Sequence, residues 1–510
     1  MKKDVSMMTN PLFDNVFGPH LASDKTYLIT KTQSYSFKDF GVLTNRLANR
    51  LVAAGVQPGD RVAVQAEKSV MQLAVYAATV KVGGVYLPLN TAYTAHELDY
   101  FLGDAKPAVT IVSGAAQAAI APIAAAVGSA LFTLEGDDSG SLTDDLETCE
   151  DAFSAVPRDM DDLAAILYTS GTTGRSKGAK LSHRNLLSNA QILKEYWRYT
   201  EADVLLHMLP IYHTHGLFVA CNLMSMAGGT MIFLPKFNLE DAIRYLPDAT
   251  SMMGVPTFYT RLLDSPDFTA ELTAHMRLFI SGSAPLLAET HDLFRARTGQ
   301  AILERYGMTE TNMSTSNPFD GERRAGTVGF ALPGVDIRIA DAKTGAVLPD
   351  GEIGIIELKG DNVFTGYWEM PEKTAESFRD DGYFITGDMA QRSPDGYITI
   401  VGRDKDLIIS GGLNIYPKEI ESLIDEMDGV IESAVIGVPH KDFGEGVLAV
   451  IATQNADLKA SDIMAQIGDK LAKFKQPKEI FFVEALPRNT MGKVQKAALR
   501  DTHKGLFITD

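Results

Sequence analysis

The chain has 510 residues, enough for several domains, and its 45% hydrophobic and 22% charged content is typical of a soluble globular protein. The 65 acidic against 47 basic residues give a formal charge of −18, which argues against nucleic-acid or anionic-membrane binding. The two cysteines, Cys149 and Cys221, lack metal-type spacing, which argues against a disulfide scaffold or zinc site and favours a reducing cytoplasm.

The first 110 residues alternate helical and strand patterns. Ser36 and Asp39 form a helix-capping pattern, and strands are predicted over 60–67 and 84–89 on either side of a helix over 70–82. Strands that alternate with helices predict a mostly parallel sheet covered by helices. The later apolar segments at 164–168 and 278–281 extend the same α/β pattern.

The segments after this region predict three further features. The alanine-rich run over 115–132 contains Pro122 and Gly128, so it is expected to be a soluble helix region with no membrane span. From residue 326, short strands and glycine-rich turns indicate a β-rich subdomain. Charged residues and glycines over 402–412 suggest a boundary, which predicts an N-terminal domain over 1–404 and a small α+β domain over 405–510.

The most informative stretch is residues 168–178, YTSGTTGRSKG, directly after an apolar strand. Its glycines let backbone N–H groups approach an anion, its hydroxyl groups add donors, and Lys177 adds a positive charge. The spacing differs from that of the common P-loop. The string predicts a phosphate-binding loop.

This string resembles the phosphate loop of the adenylate-forming superfamily, which contains acyl-CoA synthetases, adenylation domains and luciferases. Other family motifs follow in the same order along the whole chain: SGSAP at 281–285, YGMTE at 306–310, TGD at 386–388, GR at 402–403 and PRNTMGK at 487–493. The resemblance implies a mixed α/β N-terminal domain and a mobile C-terminal lid. It also implies the activation of a carboxylate by ATP and its transfer to CoA.

The resemblance also implies roles for individual residues. Thr309, Glu310 and Lys493 are implied to be catalytic, and Thr169 and Glu310 are implied to hold Mg²⁺. Asp388 and Arg403 are assigned to the ribose, and Lys405 to the hinge. The implied ATP or AMP contacts are Thr169, Ser170, Gly171, Thr172, Thr173, Gly174, Lys177, Gly282, Ser283, Ala284, Glu304, Arg305, Tyr306, Gly307, Met308, Thr309, Asp388, Arg403 and Lys493.

Lys493 is implied to contact the substrate carboxylate and the α-phosphate during adenylation, and the lid is implied to rotate between the half-reactions. A lysine in an exposed polar loop is also a plausible target of a lysine acetyltransferase, since acetylation removes the cation. Both roles depend on the ammonium charge at this position.

Three strings resemble those of malonyl-CoA synthetases: LPIYHTHG at 209–216, GVPTFYTR at 254–261 and ERYGMTETN at 304–312. This resemblance implies malonate, with methylmalonate as a second substrate. A dicarboxylate needs a second cationic site because a buried unpaired carboxylate is costly. The residues assigned to the substrate are His213, His215, Arg261, Ser283 and Arg305.

Three other functions stay open at this point. The chain could activate another short-chain or aromatic acid, which assays of pyrophosphate release over a panel of acids would decide. An adenylation module that loads a carrier protein is disfavoured because the sequence shows no carrier motif. A non-enzymatic nucleotide-binding protein predicts loss of Lys493 or Glu310, and both residues are present.

Overall fold

The computed structural model describes residues 9–169, 176–284, 286–410, 413–441, 443–468, 470–471, 473–489 and 492–508. The chain forms two compact units: Met1–Asp336 with Lys359–Phe378 (unit 1), and Ile337–Leu358 with Arg379–Asp510 (unit 2). The sequence-based division at 404/405 falls within unit 2 and stays a prediction.

Unit 1 contains two large sheets. Its strands are β1 (Thr26–Ile29), β2 (Ser34–Ser36), β3 (Arg61–Gln65), β4 (Val85–Pro88), β5 (Val109–Val112), β6 (Ala130–Thr133), β7 (Leu163–Thr169), β8 (Lys177–Ser182), β9 (Val204–His207), β10 (Thr230–Phe233), β11 (Ser251–Gly254), β12 (Leu278–Ser281), β13 (Leu303–Met308), β14 (Asn312–Ser316) and β15 (Phe330–Ala331). Its helices are α1 (Pro11–Val16), α2 (Phe37–Ala53), α3 (Val70–Lys81), α4 (Ala95–Ala105), α5 (Gly114–Ala126), α6 (His183–Tyr196), α7 (Asn222–Ala227), α8 (Leu239–Tyr245), α9 (Pro256–Leu263), α10 (Ala270–Thr273), α11 (Ala288–Thr298) and α12 (Pro371–Glu376), with a π-helical turn over His215–Cys221 before α7.

The two sheets of unit 1 are largely parallel. The nine-stranded sheet has the order β15-β14-β13-β12-β11-β9-β10-β1-β2, and the six-stranded sheet has the order β6-β5-β3-β4-β7-β8. Antiparallel pairs occur at the edges, where β2, β14, β15 and β8 lie. The central strands β4, β5, β10, β11 and β12 are buried throughout, as expected for parallel strands covered on both faces. The predicted helix-covered sheet is therefore confirmed.

The local signals in the sequence have clear structural counterparts. Ser36 and Asp39 form a reciprocal capping box at the start of α2, which satisfies two backbone donors at this helix end. Every residue of α3 is buried. A helix that is apolar all round belongs in the interior, so α3 forms part of the core of unit 1. Among the described residues, no helix is long and apolar enough to cross a membrane.

Unit 2 contains two smaller sheets. Its strands are β16 (Asp336–Ala340), β17 (Gly354–Lys359), β18 (Phe384–Arg392), β19 (Ile398–Arg403), β20 (Ile408–Ser410), β21 (Leu413–Ile415), β22 (Glu432–His440), β23 (Gly444–Ala452) and β24 (Glu479–Val483), and its helices are α13 (Pro417–Asp425), α14 (Ala460–Ile467) and α15 (Lys496–His503). One sheet has the order β16-β17-β18-β19 and corresponds to the predicted β-rich subdomain. The other has the order β21-β20-β23-β22, with β24 also paired to β23.

Candidate functional site

The predicted phosphate string joins the antiparallel strands β7 and β8. Thr169 and Lys177 are directly opposite each other where the two strands end and begin. The Lys177 Nζ lies 4.1 Å from the ring centroid of Tyr367, a cation–π contact. Thr169 and Lys177 therefore lie near the two ends of the string. The predicted contacts between them lie outside the described residues: Ser170, Gly171, Thr172, Thr173 and Gly174.

Glu310, the predicted Mg²⁺ carboxylate, is buried between two contacts. The Tyr367 hydroxyl donates to Glu310 Oε1 at 2.9 Å, and the Phe364 backbone N–H donates to the Glu310 carbonyl at 2.7 Å. Tyr367 thus contacts both Lys177 and Glu310, although the sequence analysis assigned it no role. Its only sequence signal is its position in the Gly-Tyr-Trp string at 366–368.

Glu310 offers one carboxylate to a metal ion. No cluster of three His, Cys, Asp or Glu side chains suited to a metal occurs in the described ranges. Mg²⁺ usually takes one or two carboxylates and completes its coordination with waters and substrate phosphates. One carboxylate, held in place by the Tyr367 hydroxyl, fits that ion, and the Thr169 hydroxyl adds a possible oxygen ligand.

The tight turn after β13 places Thr309 and Glu310 at its tip. A side chain at Gly307 would put its Cβ 1.8 Å from the Asn312 carbonyl oxygen, so only glycine fits there. Asn312 has a left-handed φ of 47°, a conformation that asparagine tolerates better than most residues. The strands shift register between Tyr306 and Gly307. These features make the YGMTE motif a defined turn with Thr309 and Tyr306 half-exposed and Glu310 buried.

Arg305 is a buried arginine on β13, only 3% exposed. Its guanidinium packs against Gly282, where a Cβ would come within 2.3 Å of Arg305 Cζ. Its Nε and Nη2 atoms are buried, and no described residue accepts a hydrogen bond from either of them. A buried arginine with unsatisfied donors carries a large desolvation cost. An anion that accepts from these nitrogens would offset that cost.

His215 and Ser283 lie beside this arginine. The Ser283 Oγ and His215 Nδ1 are 3.2 Å apart, and Ser283 has a left-handed φ of 71°. His215 is buried, and its Nε2 has no hydrogen-bond partner in the part of the chain that the structure describes. A non-glycine residue at positive φ is strained, and such strain is concentrated at functional sites. The structure therefore brings together three of the five residues assigned to the substrate.

Other residues assigned by sequence lie on α9, in the loop before the π-helical turn, and on or near β13. Arg261 is exposed on α9, next to the buried Leu262. His213 is half-buried in the loop before the π-helical turn, with its ring 4.6 Å from that of Tyr212. Ala284 is exposed, Glu304 is buried on β13, and Met308 ends β13. The roles of Arg261 and His213 stay predictions.

Burial affects the protonation of the basic groups at the Arg305 site. Burial lowers the pKa of His215 well below 6.5, and the neighbouring Arg305 and His207 side chains lower it further. Burial also lowers the pKa of Arg305 from 12.5 to about 9, an effect that Tyr259 and Glu304 oppose. His215 is therefore neutral near pH 7, and Arg305 is the cation of this site.

The predicted ribose residues lie on neighbouring strands of unit 2. Asp388 on β18 is opposite Arg403 on β19, and Arg403 Nε lies 2.6 Å from Asp388 Oδ1. The Asp388 N–H donates to the Thr386 hydroxyl, which in turn donates to the Ile356 carbonyl at 2.9 Å. The TGD motif is thus anchored to β17, and a fixed carboxylate of this kind can accept from ribose hydroxyl groups.

Lys405 and Lys493 lie in short turns of unit 2. Lys405 belongs to the single turn Asp404–Asp406, and burial beside Arg403 lowers its pKa to about 8. The Lys493 side chain is exposed, whereas its backbone is held by Asn489, whose Oδ1 accepts from the Lys493 N–H at 2.9 Å. The Lys493 backbone is held in place while its side chain is exposed, so the side chain is accessible to a bound ligand.

Family models match both parts of the chain. The AMP-binding enzyme model matches residues 20–368, and the AMP-binding enzyme C-terminal domain model matches residues 419–493. The first match covers more than half of the chain and contains the string at 168–178, Arg305 and Glu310. The chain belongs to the AMP-binding enzyme family.

Within this family the chain is similar to proteins named for malonate. It is 36% identical to the malonate–CoA ligase of Arabidopsis thaliana, over 88% of this chain and 78% of that protein. It is 34% identical to the mitochondrial malonate–CoA ligase ACSF3 of Mus musculus, over 93% and 88%. The crystal structure of ATP-bound MatB from Rhodopseudomonas palustris shares 57% identity and a TM-score of 0.96, over 98% of this chain and all of that one.

Proposed function

We propose that the protein is an AMP-forming malonate–CoA ligase, which converts malonate, ATP and CoA into malonyl-CoA, AMP and pyrophosphate. Methylmalonate is the proposed second substrate. The observation that carries the choice of acid is the buried Arg305 beside His215 and Ser283, because two of its guanidinium nitrogens have no hydrogen-bond partner among the described residues. The membership of the AMP-binding family and the malonate–CoA ligase relatives support the overall reaction.

The geometry at Arg305 suits a dicarboxylate. One carboxylate of malonate has to react with ATP, and the other has to be held without reacting. A guanidinium presents parallel N–H donors that match the two oxygens of a carboxylate. Ser283 and neutral His215 add hydrogen-bonding groups without adding a second full charge. An apolar acid leaves the Arg305 donors unsatisfied, so the site discriminates against it.

In the first half-reaction, an oxygen of the malonate carboxylate attacks the α-phosphorus of ATP, and pyrophosphate leaves. Both reactants are anions, so catalysis requires positioning and charge neutralisation. We assign Lys177 and the string at 168–178 to the β- and γ-phosphates, and Thr309 to the α-phosphate. Mg²⁺, when bound by Glu310 and Thr169, neutralises phosphate oxygens. Tyr367 holds Glu310 and the Lys177 ammonium in place.

In the second half-reaction, the CoA thiolate attacks the acyl carbonyl and AMP leaves with one oxygen of the original carboxylate.

We assign Asp388 and Arg403 to the ribose and Lys493 to the charge that develops during adenylation. The proposal includes a C-terminal domain that begins near Lys405 and changes position between the half-reactions. Acetylation of Lys493 by a lysine acetyltransferase would remove its charge and stop adenylation.

A panel of acids tests this function. Pyrophosphate release is measured with malonate, methylmalonate, succinate, acetate, butyrate and benzoate, each with and without CoA. Malonate should give the highest kcat/KM, and CoA should be required for sustained turnover because it removes the adenylate. A preference for butyrate or benzoate would instead support the alternative, a synthetase for another short-chain or aromatic acid.

A further inference from the structure

Lys68 is a buried lysine that no predicted role explains. It lies in the segment between β3 and α3, with 9% of its surface exposed. Its Nζ is 2.7 Å from His207 Nδ1, donates to the His207 carbonyl at 2.9 Å, and lies 4.2 Å from the Phe233 ring centroid. Within the described part of the chain, no carboxylate lies within ion-pair distance of it. Burying a lysine without a carboxylate partner costs desolvation free energy. A residue that carries this cost is a candidate for a functional role.

His207 extends these contacts toward the substrate site. It is the last residue of β9, and its Nε2 donates to the Gly216 carbonyl at 2.8 Å. Because a carbonyl only accepts, the proton lies on Nε2 and Nδ1 is the acceptor for Lys68. Burial and the neighbouring Lys68 both lower the pKa of His207, so this neutral tautomer is the stable form. Lys68 and His207 thus connect the end of β3 to the Gly216 carbonyl.

Gly216 belongs to the π-helical turn over His215–Cys221. A Cβ at this position would lie 2.0 Å from the Pro210 carbonyl oxygen. The backbone at Gly216 and the backbone at Pro210 are therefore too close together for any residue other than glycine. Single π-helical turns are rare and are found mostly at functional sites. Since Gly216 directly follows His215, the bond from His207 to its carbonyl limits where the His215 ring can lie.

We propose that Lys68 and His207 are positioning residues for the acyl-carboxylate site. Lys68 fixes the tautomer and orientation of His207, and His207 fixes the π-helical turn so that His215 faces Ser283 and Arg305. Neither residue is assigned a contact with substrate. This inference rests on the proposed function, because it concerns the binding of the acid that Arg305 holds.

The test compares two buried lysines that flank the same helix. Lys68→Met keeps the long stem and removes the terminal nitrogen that contacts His207. Lys81→Met is the control: Lys81 ends α3, is 6% exposed, and contacts Asn45 and the Phe13 ring instead of the His207 region. Lys68→Met should raise the KM for malonate about tenfold, as expected when buried acceptors lose their donor. It should leave the KM for ATP within about twofold, and Lys81→Met should leave the ratio of the two KM values unchanged.

A thermal unfolding measurement shows whether Lys68→Met is folded. If it is not, two variants of His207 test the same proposal. In His207→Gln, the side-chain amide can still donate to the Gly216 carbonyl, so the KM for malonate should stay within about twofold to threefold. His207→Leu removes that donor and should raise this KM about tenfold. Equal effects of Gln and Leu would overturn the proposal, as would a Lys68→Met variant that changes both KM values equally.

The proposed function and this inference fail in different ways. If the wild-type enzyme does not ligate malonate, the proposed function is wrong, and the acid that the panel identifies replaces malonate in the variant assays. If the wild type ligates malonate and Lys68→Met behaves like Lys81→Met, the function stands and the positioning role is wrong.

Discussion

Replacing Arg305 with alanine removes the cation that we assign to the second carboxylate of malonate. Arg305 is buried, and its Nε and Nη2 atoms have no partner within the described ranges, so the bound carboxylate would lose its partner in a desolvated site. Breaking a buried ion pair in this way typically costs about 3–5 kcal/mol. The kcat/KM for malonate should therefore fall by roughly a hundredfold or more. Butyrate carries a methyl group in place of the second charge, so its relative activity should rise.

Arg261→Ala is the matched comparison, because both arginines were assigned to malonate from the sequence and Arg261 is exposed on α9. The assay is kcat/KM for malonate, methylmalonate and butyrate in the wild type and both variants. AMP binding, measured by calorimetry, separates the nucleotide role also assigned to Arg305. If the ratio of malonate to butyrate is unchanged in Arg305→Ala and falls in Arg261→Ala, Arg261 is the specificity residue and our reading of the buried site is incorrect.

Three other predictions concern charge and metal binding. Lys493→Ala should suppress formation of the malonyl adenylate while sparing thioester formation from supplied adenylate; equal losses in the two half-reactions would contradict its role. Tyr367→Phe keeps the ring over Lys177 and removes the hydroxyl that donates to Glu310. The Mg²⁺ concentration that gives half the maximal rate should therefore rise about tenfold, and so should the Mg²⁺ concentration needed for ATP binding in calorimetry. An unchanged Mg²⁺ dependence would rule this role out. Because burial lowers the pKa of His215 well below 6.5 and keeps its ring neutral, the KM for malonate should stay level as the pH rises through 6.5. An increase near pH 6.5 would mean that a protonated histidine binds the acid.

The sequence predicted the features that depend on local patterns. The capping box at Ser36 and the buried strand before the phosphate string each follow from a short run of residues, and both are present. The assignment of Arg305 came from a motif, and the motif could not show burial. That property depends on Gly282, which is distant in sequence and leaves room for the guanidinium.

The residues that sequence reasoning missed are defined by tertiary contacts. Lys68 precedes an apolar helix, where a lysine is usually solvated, and its burial depends on His207 and Phe233 in the other sheet of unit 1. Tyr367 belongs to a segment of unit 1 far along the chain from Lys177 and contacts Glu310 only in the folded state. Conversely, Arg261 lies in a motif that predicted a substrate role and is exposed in the structure.

The most direct test of the central claim follows an oxygen atom from malonate. Malonate labelled with ¹⁸O in its carboxylates is incubated with ATP, Mg²⁺, CoA and the enzyme, and the nucleotide products are analysed by mass spectrometry. Attack of the carboxylate on the α-phosphorus leaves one carboxylate oxygen on that phosphorus when the thiolate displaces AMP. The account predicts AMP that carries one ¹⁸O, in equal amount to malonyl-CoA. Unlabelled AMP, or formation of ADP with labelled phosphate, would contradict it.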